Sequence, residues 1–326
     1  MTKAEYSRLY RQARKSFPGI TQKAMTELKR TYIEAGKLAA AEVRKAELAG
    51  LSDLTIKSWQ NIERQLEEGA RIIRDNLEKG IYNTSSLGIS KTSAINQDYL
   101  IDAFKDIDQT KITQTGIKNL FRSVNTRVVT SIASRVYQDG YTFADRIWNA
   151  GLDYQKKIKD VITSGLAQGR DVIKIAKDIQ VYIKDGKISL VNRYGSLKRG
   201  TSGFIKRIGD KVDYRALRLV RSELYQSLQI ASAEQGRVNP GAVDMYEWLL
   251  SPGRQHWGCA CPENAANSPY TLQDLPDYPH PHCVCDIRPV LRDRKQFVED
   301  LKRWSNFEPV DYLDKWYRQD YQYMVS

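Results

Sequence analysis

The chain has four cysteines and three histidines, and all seven fall between His256 and Cys285. One group reads His256-Trp-Gly-Cys259-Ala-Cys261, the other His280-Pro-His282-Cys283-Val-Cys285, with a polar, proline-bearing loop between them. Thiolate and imidazole are the soft and borderline donors that hold Zn2+. Two donor pairs about twenty residues apart suit a structural, tetrahedral site. Such a site takes four of the seven donors. Both cysteine pairs are Cys-x-Cys rather than the roomier Cys-x-x-Cys, so spacing leaves the choice open. The candidate ligands are Cys259, Cys261, His280, Cys283 and Cys285. Two other chemistries use the same residues: a pair of disulfides, which usually staple small secreted domains, or ordinary thiols in a small core beside surface histidines.

Catalysis would need groups that the sequence does not supply. General acid–base chemistry most often uses histidine, and all three histidines lie beside the cysteines. They form no His-x-Glu, which a zinc deaminase requires, and no second histidine pair is left for an HNH-like nuclease. A phosphate-cradling Gly-x-x-x-x-Gly-Lys-[Ser/Thr] is also missing. Arg221-Ser222-Glu223 matches one element of an ADP-ribosyltransferase, but neither Ser-Thr-Ser nor Glu-x-Glu accompanies it. An Arg and a Glu bracing the metal lobe is the plainer reading. The expectation is therefore a protein that is not an enzyme, with no catalytic residue and no small-molecule substrate.

The elements that must position the cysteines follow from periodicity. Met25, Leu28, Tyr32, Ala35, Ala39, Val43 and Ala46 form one helical stripe, and Trp59, Ile62, Leu66, Ala70, Ile73 and Leu77 form a second. A short joint at Gly50 favours an antiparallel hairpin. Pro18-Gly19 reads as a break before the first stripe, and the Ser/Thr/Gly/Asn-rich run Tyr82–Thr92 as a linker after the second. Helical spacing resumes over 98–138. Asp139-Gly140 is a turn, and a joint at 165–171 separates two further helices. Asp213–Gln235 is helical again up to the stop at Asn239-Pro240-Gly241. Val243–Leu250 reads as a strand, and Cys285–Val290 as its return partner. The expected fold is mainly α: a long helical hairpin and helical bundle, then a small zinc-stapled α+β C-terminal lobe, then an aromatic helical tail. The expected domains are 1–85, 93–235, 236–292 and 293–326, with a basic arm inserted at 185–211.

Composition narrows the partners. With 326 residues and 41% apolar content, the chain is long enough for a sizeable core and more than one domain. No apolar run approaches the roughly 18 residues of a membrane span. The basic N-terminus lacks the apolar stretch of a signal peptide, so a cytosolic chain with no membrane span is expected. The net charge of +12 is uneven. Met1–Gly50 nets +6 and Lys187–Arg221 nets +8, leaving −2 elsewhere. Asp185–Asp210 holds five glycines and the cations Arg193, Lys198, Arg199, Lys206 and Arg207 with weak periodicity. It reads as a flexible excursion, and those five residues are the candidate contacts to the backbone of double-stranded DNA, without sequence preference. The tail from Asp293 has eight aromatics in 34 residues. Trp304, Trp316 and Tyr321 are its candidate docking residues on a partner protein, against the alternative of a tail folded back on its own core.

Three pieces, in order, resemble the phage Mu F-like minor head proteins, also called head morphogenesis or portal-associated minor capsid proteins. Arg146-Ile-Trp148 through Gly165-Leu-Ala-Gln-Gly169 to Ile179 is similar to that family's helical run ending in G-L-x-x-G…I-A-x-x-I. Arg218-Leu-Val-Arg221-Ser222-Glu223, leading to Tyr246-Glu-Trp248-Leu, resembles its R-T-E helix and short strand. His280-Pro-His-Cys283-Val-Cys285 resembles its H-P-x-C-R-C ending. The likeness covers residues 140–292. It departs from the family at Cys259-Ala-Cys261, at Ser222 in place of threonine, and in the length of the 185–210 insertion. The resemblance implies a structural virion component, assembled in the host bacterial cytoplasm. It would associate with the phage portal protein, capsid or scaffold proteins and packaged DNA, and could be ejected with the genome. A free-standing zinc-containing DNA-binding protein is the alternative, with a zinc-associated nuclease or ADP-ribosyltransferase behind it.

Overall fold

The computed structural model describes residues 1–48, 55–105, 107, 111–137, 139–167, 170–185, 213–251, 259–279 and 283–325. The protein is mainly α, with a small two-stranded sheet beside the cysteines and aromatic clusters near the C-terminus. In order come α1 (Lys3–Leu48), α2 (Ile56–Phe104), α3 (Gln114–Ser131), α4 (Phe143–Ala167), α5 (Val172–Asp185), α6 (Tyr214–Arg237), β1 (Ala242–Leu249), α7 (Cys261–Ala266) and β2 (Asp286–Leu291). The tail adds α8 (Arg294–Ser305), α9 (Asp311–Trp316), a π-helical turn (Tyr317–Tyr321) and α10 (Gln322–Val325). The chain forms two compact units, neither continuous in sequence. Unit 1 gathers 1–22, 82–134 and 221–326, and unit 2 gathers 23–81 and 135–220.

Two expected breaks are helical instead. Pro18 lies inside α1 with its ring exposed. An interior proline costs a helix about 3 kcal/mol. Burial of Tyr6, Tyr10 and Phe17 along one side outweighs that, since each such ring contributes about 1.5–3 kcal/mol. The second break, Tyr82–Thr92, belongs to α2. Its small residues serve helix packing rather than a linker. Ser85, Ile89 and Thr92 are fully buried, and a β-carbon at Gly88 would meet Leu224 and Leu228 of α6 at 3.0 Å. Ser90 and Thr92 return their hydroxyls to the carbonyls of Leu87 and Ile89, so these polar residues satisfy themselves within the helix.

Unit 2 packs the stripes read from the sequence. Tyr32 of α1 meets Tyr154 of α4 edge-on at 6.2 Å, and Lys159 of α4 pairs with Glu63 of α2 at 2.7 Å. The turn before α4 needs its glycine, because Gly140 holds φ +80. Thr142 and Asp145 then cap the helix reciprocally.

Unit 1 carries a large aromatic core built from Tyr6, Tyr10 and Phe17 of α1, Tyr99 and Phe104 of α2, Phe121 of α3, Phe297 of α8 and Trp316 of α9. Tyr99 and Phe297 stack at 6.2 Å, directly against Gly241. A β-carbon there would lie 2.4 Å from the Tyr99 ring, so the stop after α6 admits only glycine. The two strands form where the sequence placed them. They are antiparallel, with Glu247 opposite Arg288, Trp248 opposite Ile287 and Leu249 opposite Asp286.

Candidate metal centre

The sheet is the frame on which the thiols sit. Cys283 and Cys285 stand immediately before β2. Both are buried while Val284 between them is half-buried. The Cys-x-Cys spacing thus turns both thiols inward around a half-buried valine. Cys261 is the first residue of α7, followed by Pro262 where a helix start tolerates it, and is also fully buried. The backbone beyond α7 returns to the sheet at Tyr270, which exchanges hydrogen bonds of 2.7 and 2.9 Å with Tyr246 on β1.

The sulfurs of Cys261, Cys283 and Cys285 all lie within 4.8 Å of one another, and Cys261 and Cys283 are 3.6 Å apart. Zn–S bonds of about 2.3 Å in a tetrahedron put sulfurs about 3.8 Å apart. A disulfide needs about 2.0 Å, and the four cysteines are free thiols. Cys259 is half-buried and its thiol faces that of Cys261, but it stands outside the cluster of three. His256, His280 and His282 lie outside those residues. The donor set that the structure brings together is three soft thiols, a group that could hold a metal ion.

The electrostatics hold the thiols neutral when no metal is bound. Burial first, and then the neighbouring Cys285 thiol, push Cys261 up to about 12. Cys283 is raised further still, by its hydrogen bond with Cys285 and by burial. Thiols so placed resist ionising by themselves, whereas a coordinated dication deprotonates them outright. Asp286 follows Cys285 directly. Burial raises it to about 6, partly opposed by Arg14, whose Nε lies 3.8 Å away.

A shell of hydrogen bonds fixes the ligand backbone. The Tyr278 hydroxyl donates to the Cys283 carbonyl at 2.7 Å, and Gln229 Nε2 of α6 donates to the Cys285 carbonyl at 3.1 Å. Tyr278 also faces the Ser222 hydroxyl and Glu223, which is fully buried. Ser222 and Glu223 thus stand beside the support of this lobe. Sequence reading passed over Tyr278 and Gln229. The signal for Gln229 was present, as a polar residue on the otherwise apolar stripe of α6.

The remaining expected sites divide in two. The arm residues Arg193, Lys198, Arg199, Lys206 and Arg207 lie outside the described residues. The docking residues need correction. Trp316 is buried, donates Nε1–H to the Val238 carbonyl at 2.8 Å and stacks on Phe104. Tyr321 is buried as well, and its hydroxyl accepts the Thr113 amide at 3.0 Å at the start of α3. Trp304 is half-buried and donates to Asp314. The tail folds onto the core of unit 1, because each ring finds both apolar contact and a partner for its polar atom there. Among the described residues no helix is long and apolar enough to cross a membrane. No protein-family model, curated protein or solved structure matches the chain.

Proposed function

We propose that the protein is a non-catalytic, DNA-associated protein whose C-terminal lobe is closed by one structural zinc ion. The observation that carries this reading is the trio of buried thiols within 4.8 Å of one another. In such a lobe the metal supplies folding free energy rather than a reaction. The net charge of +12, concentrated in two stretches of sequence, supports a polyanion partner. The narrower setting we propose is the head of a tailed bacteriophage, as a minor capsid protein associated with the portal and the packaged genome. What favours it is a convergence: Ser222-Glu223 and Cys283, from two separate pieces of the resemblance, meet at Tyr278.

Both levels are testable. Binding to double-stranded DNA should fall steeply with salt. Replacing Lys198, Arg199, Lys206 and Arg207 by glutamine should flatten the log–log salt slope by up to about 3.6, at about 0.9 per phosphate contact. An unchanged slope would remove the arm from the DNA interface. For the narrower setting, mass spectrometry of purified particles and proheads should find this chain, and its absence from both would exclude a head component.

A further inference from the structure

The cations near the start of α1 divide into one with a structural task and three without. Residues 6–26 hold five Lys/Arg and no Asp or Glu. Arg14 is half-buried and donates to the carbonyls of Leu249 and Leu250 at 3.1 and 3.3 Å, tying α1 to the end of β1. Arg8, Arg11 and Lys15 are exposed instead. They follow one another at steps of three and four residues, on the side of the helix away from Tyr6, Tyr10 and Phe17. Among the described residues these three form no ion pair. Glu5, three residues before Arg8, feels that charge but turns its carboxylate to the Thr2 amide at 2.6 Å. Arg11 and Lys15, four apart, repel each other on the helix surface. The face therefore carries an electrostatic cost that no carboxylate within residues 6–26 offsets.

We propose that this face of α1 is a phosphate-contact surface, on which the backbone of double-stranded DNA lies without sequence preference. The three cations rise along about 10 Å of one continuous helix. A duplex carries a charge about every 1.7 Å of its axis, so each cation can meet a different phosphate. Gln12, exposed beside them, adds an amide donor of the kind that binds phosphate oxygens. A protein partner fits less well. No large apolar side chain described on α1 is exposed before Leu38, so the face has no anchor for an apolar pocket. The same lack of an outward apolar strip leaves nothing to enter a lipid headgroup layer. The inference rests on the DNA-associated reading and is independent of the phage setting. It adds a contact on unit 1 to those expected from the arm.

The full chain is titrated with a short duplex of arbitrary sequence over a range of salt, beside two variants that remove equal charge. One carries Arg8→Gln, Arg11→Gln and Lys15→Gln. The other carries Lys37→Gln, Lys45→Gln and Arg71→Gln, whose cations already pair with Glu34, Glu42 and Glu68. The first variant should bind about tenfold more weakly and flatten the log–log salt slope by up to about 2.7, at about 0.9 per phosphate contact. Its melting temperature should equal or exceed the parent's, as like-charge repulsion is removed. The second variant should bind as the parent does. A parent-like slope in the first variant would overturn the inference and leave the DNA-associated reading standing. Equal weakening in both variants would reduce the effect to net charge, and would overturn it too. So would tighter binding of the parent to phosphatidylglycerol vesicles than to duplex, which would make the partner a membrane surface. If the parent chain itself fails to bind duplex, the DNA-associated reading falls first and this inference with it.

Discussion

Unit 1 holds two apolar cores made of different material. The larger draws tyrosines, phenylalanines and a tryptophan from α1, α2, α3, α8 and α9, so each ring is supported by several helices. The smaller has seven buried members among the described residues: Ala233, Tyr246, Trp248, Ile287 and three cysteines. Two short strands and a proline-bearing loop cannot bury much more. Where the first core is held by area removed from water, the second lacks that area and places thiols at its centre instead. The difference teaches where a metal would matter most: at the part of the chain too poor in apolar residues to order itself.

The largest expected effect is on the small core. Cys283→Ser should abolish metal binding and the fixed structure of residues 243–292, because zinc contributes on the order of 10–16 kcal/mol to small folds that depend on it. Far-UV dichroism should retain most of the helix signal while limited proteolysis opens the lobe. Equal loss of helix throughout would merge the two cores into one cooperative unit. Next is the large core. Trp316→Ala should destabilise the protein by about 3–5 kcal/mol in a thermal or denaturant melt and leave zinc content unchanged. A neutral result would mean that the tail is detached in solution. The smallest effect joins the two. Tyr278→Phe removes the hydroxyl that holds the Cys283 carbonyl. It should lower stability by about 1 kcal/mol and weaken zinc retention against a chelator by about tenfold. Unaltered retention would show that the ligand backbone is held without it.

The thiol cluster was legible because its residues are absent elsewhere in the chain, and the flanking strands because short apolar runs bounded by turn residues lie on either side of it. Cys261, Cys283 and Cys285 come together as their types required. The ligand choice was not legible, since spacing says nothing of which thiols a strand face turns inward. Composition misled at two places. Tyr82–Thr92 has the residues of a linker, yet small side chains also allow two helices to touch, as Gly88 and Leu224 do. Trp316 and Tyr321 have the residues of a docking surface, yet the same rings fill a core when helices lie near enough. Periodicity identifies an apolar face and does not identify what covers it. The two discontinuous units were hidden for a similar reason, because α1 and α2 each pass from one unit to the other without any change in helical pattern.

The central claim is that a metal ion closes the smaller core. Its most direct test is elemental analysis of the purified chain, prepared without chelator, together with a count of reactive thiols before and after metal removal. The account predicts about one zinc per chain, with Cys261, Cys283 and Cys285 protected until the metal is stripped. Protein that carries no metal, and whose buried thiols show the same reactivity throughout, would contradict it.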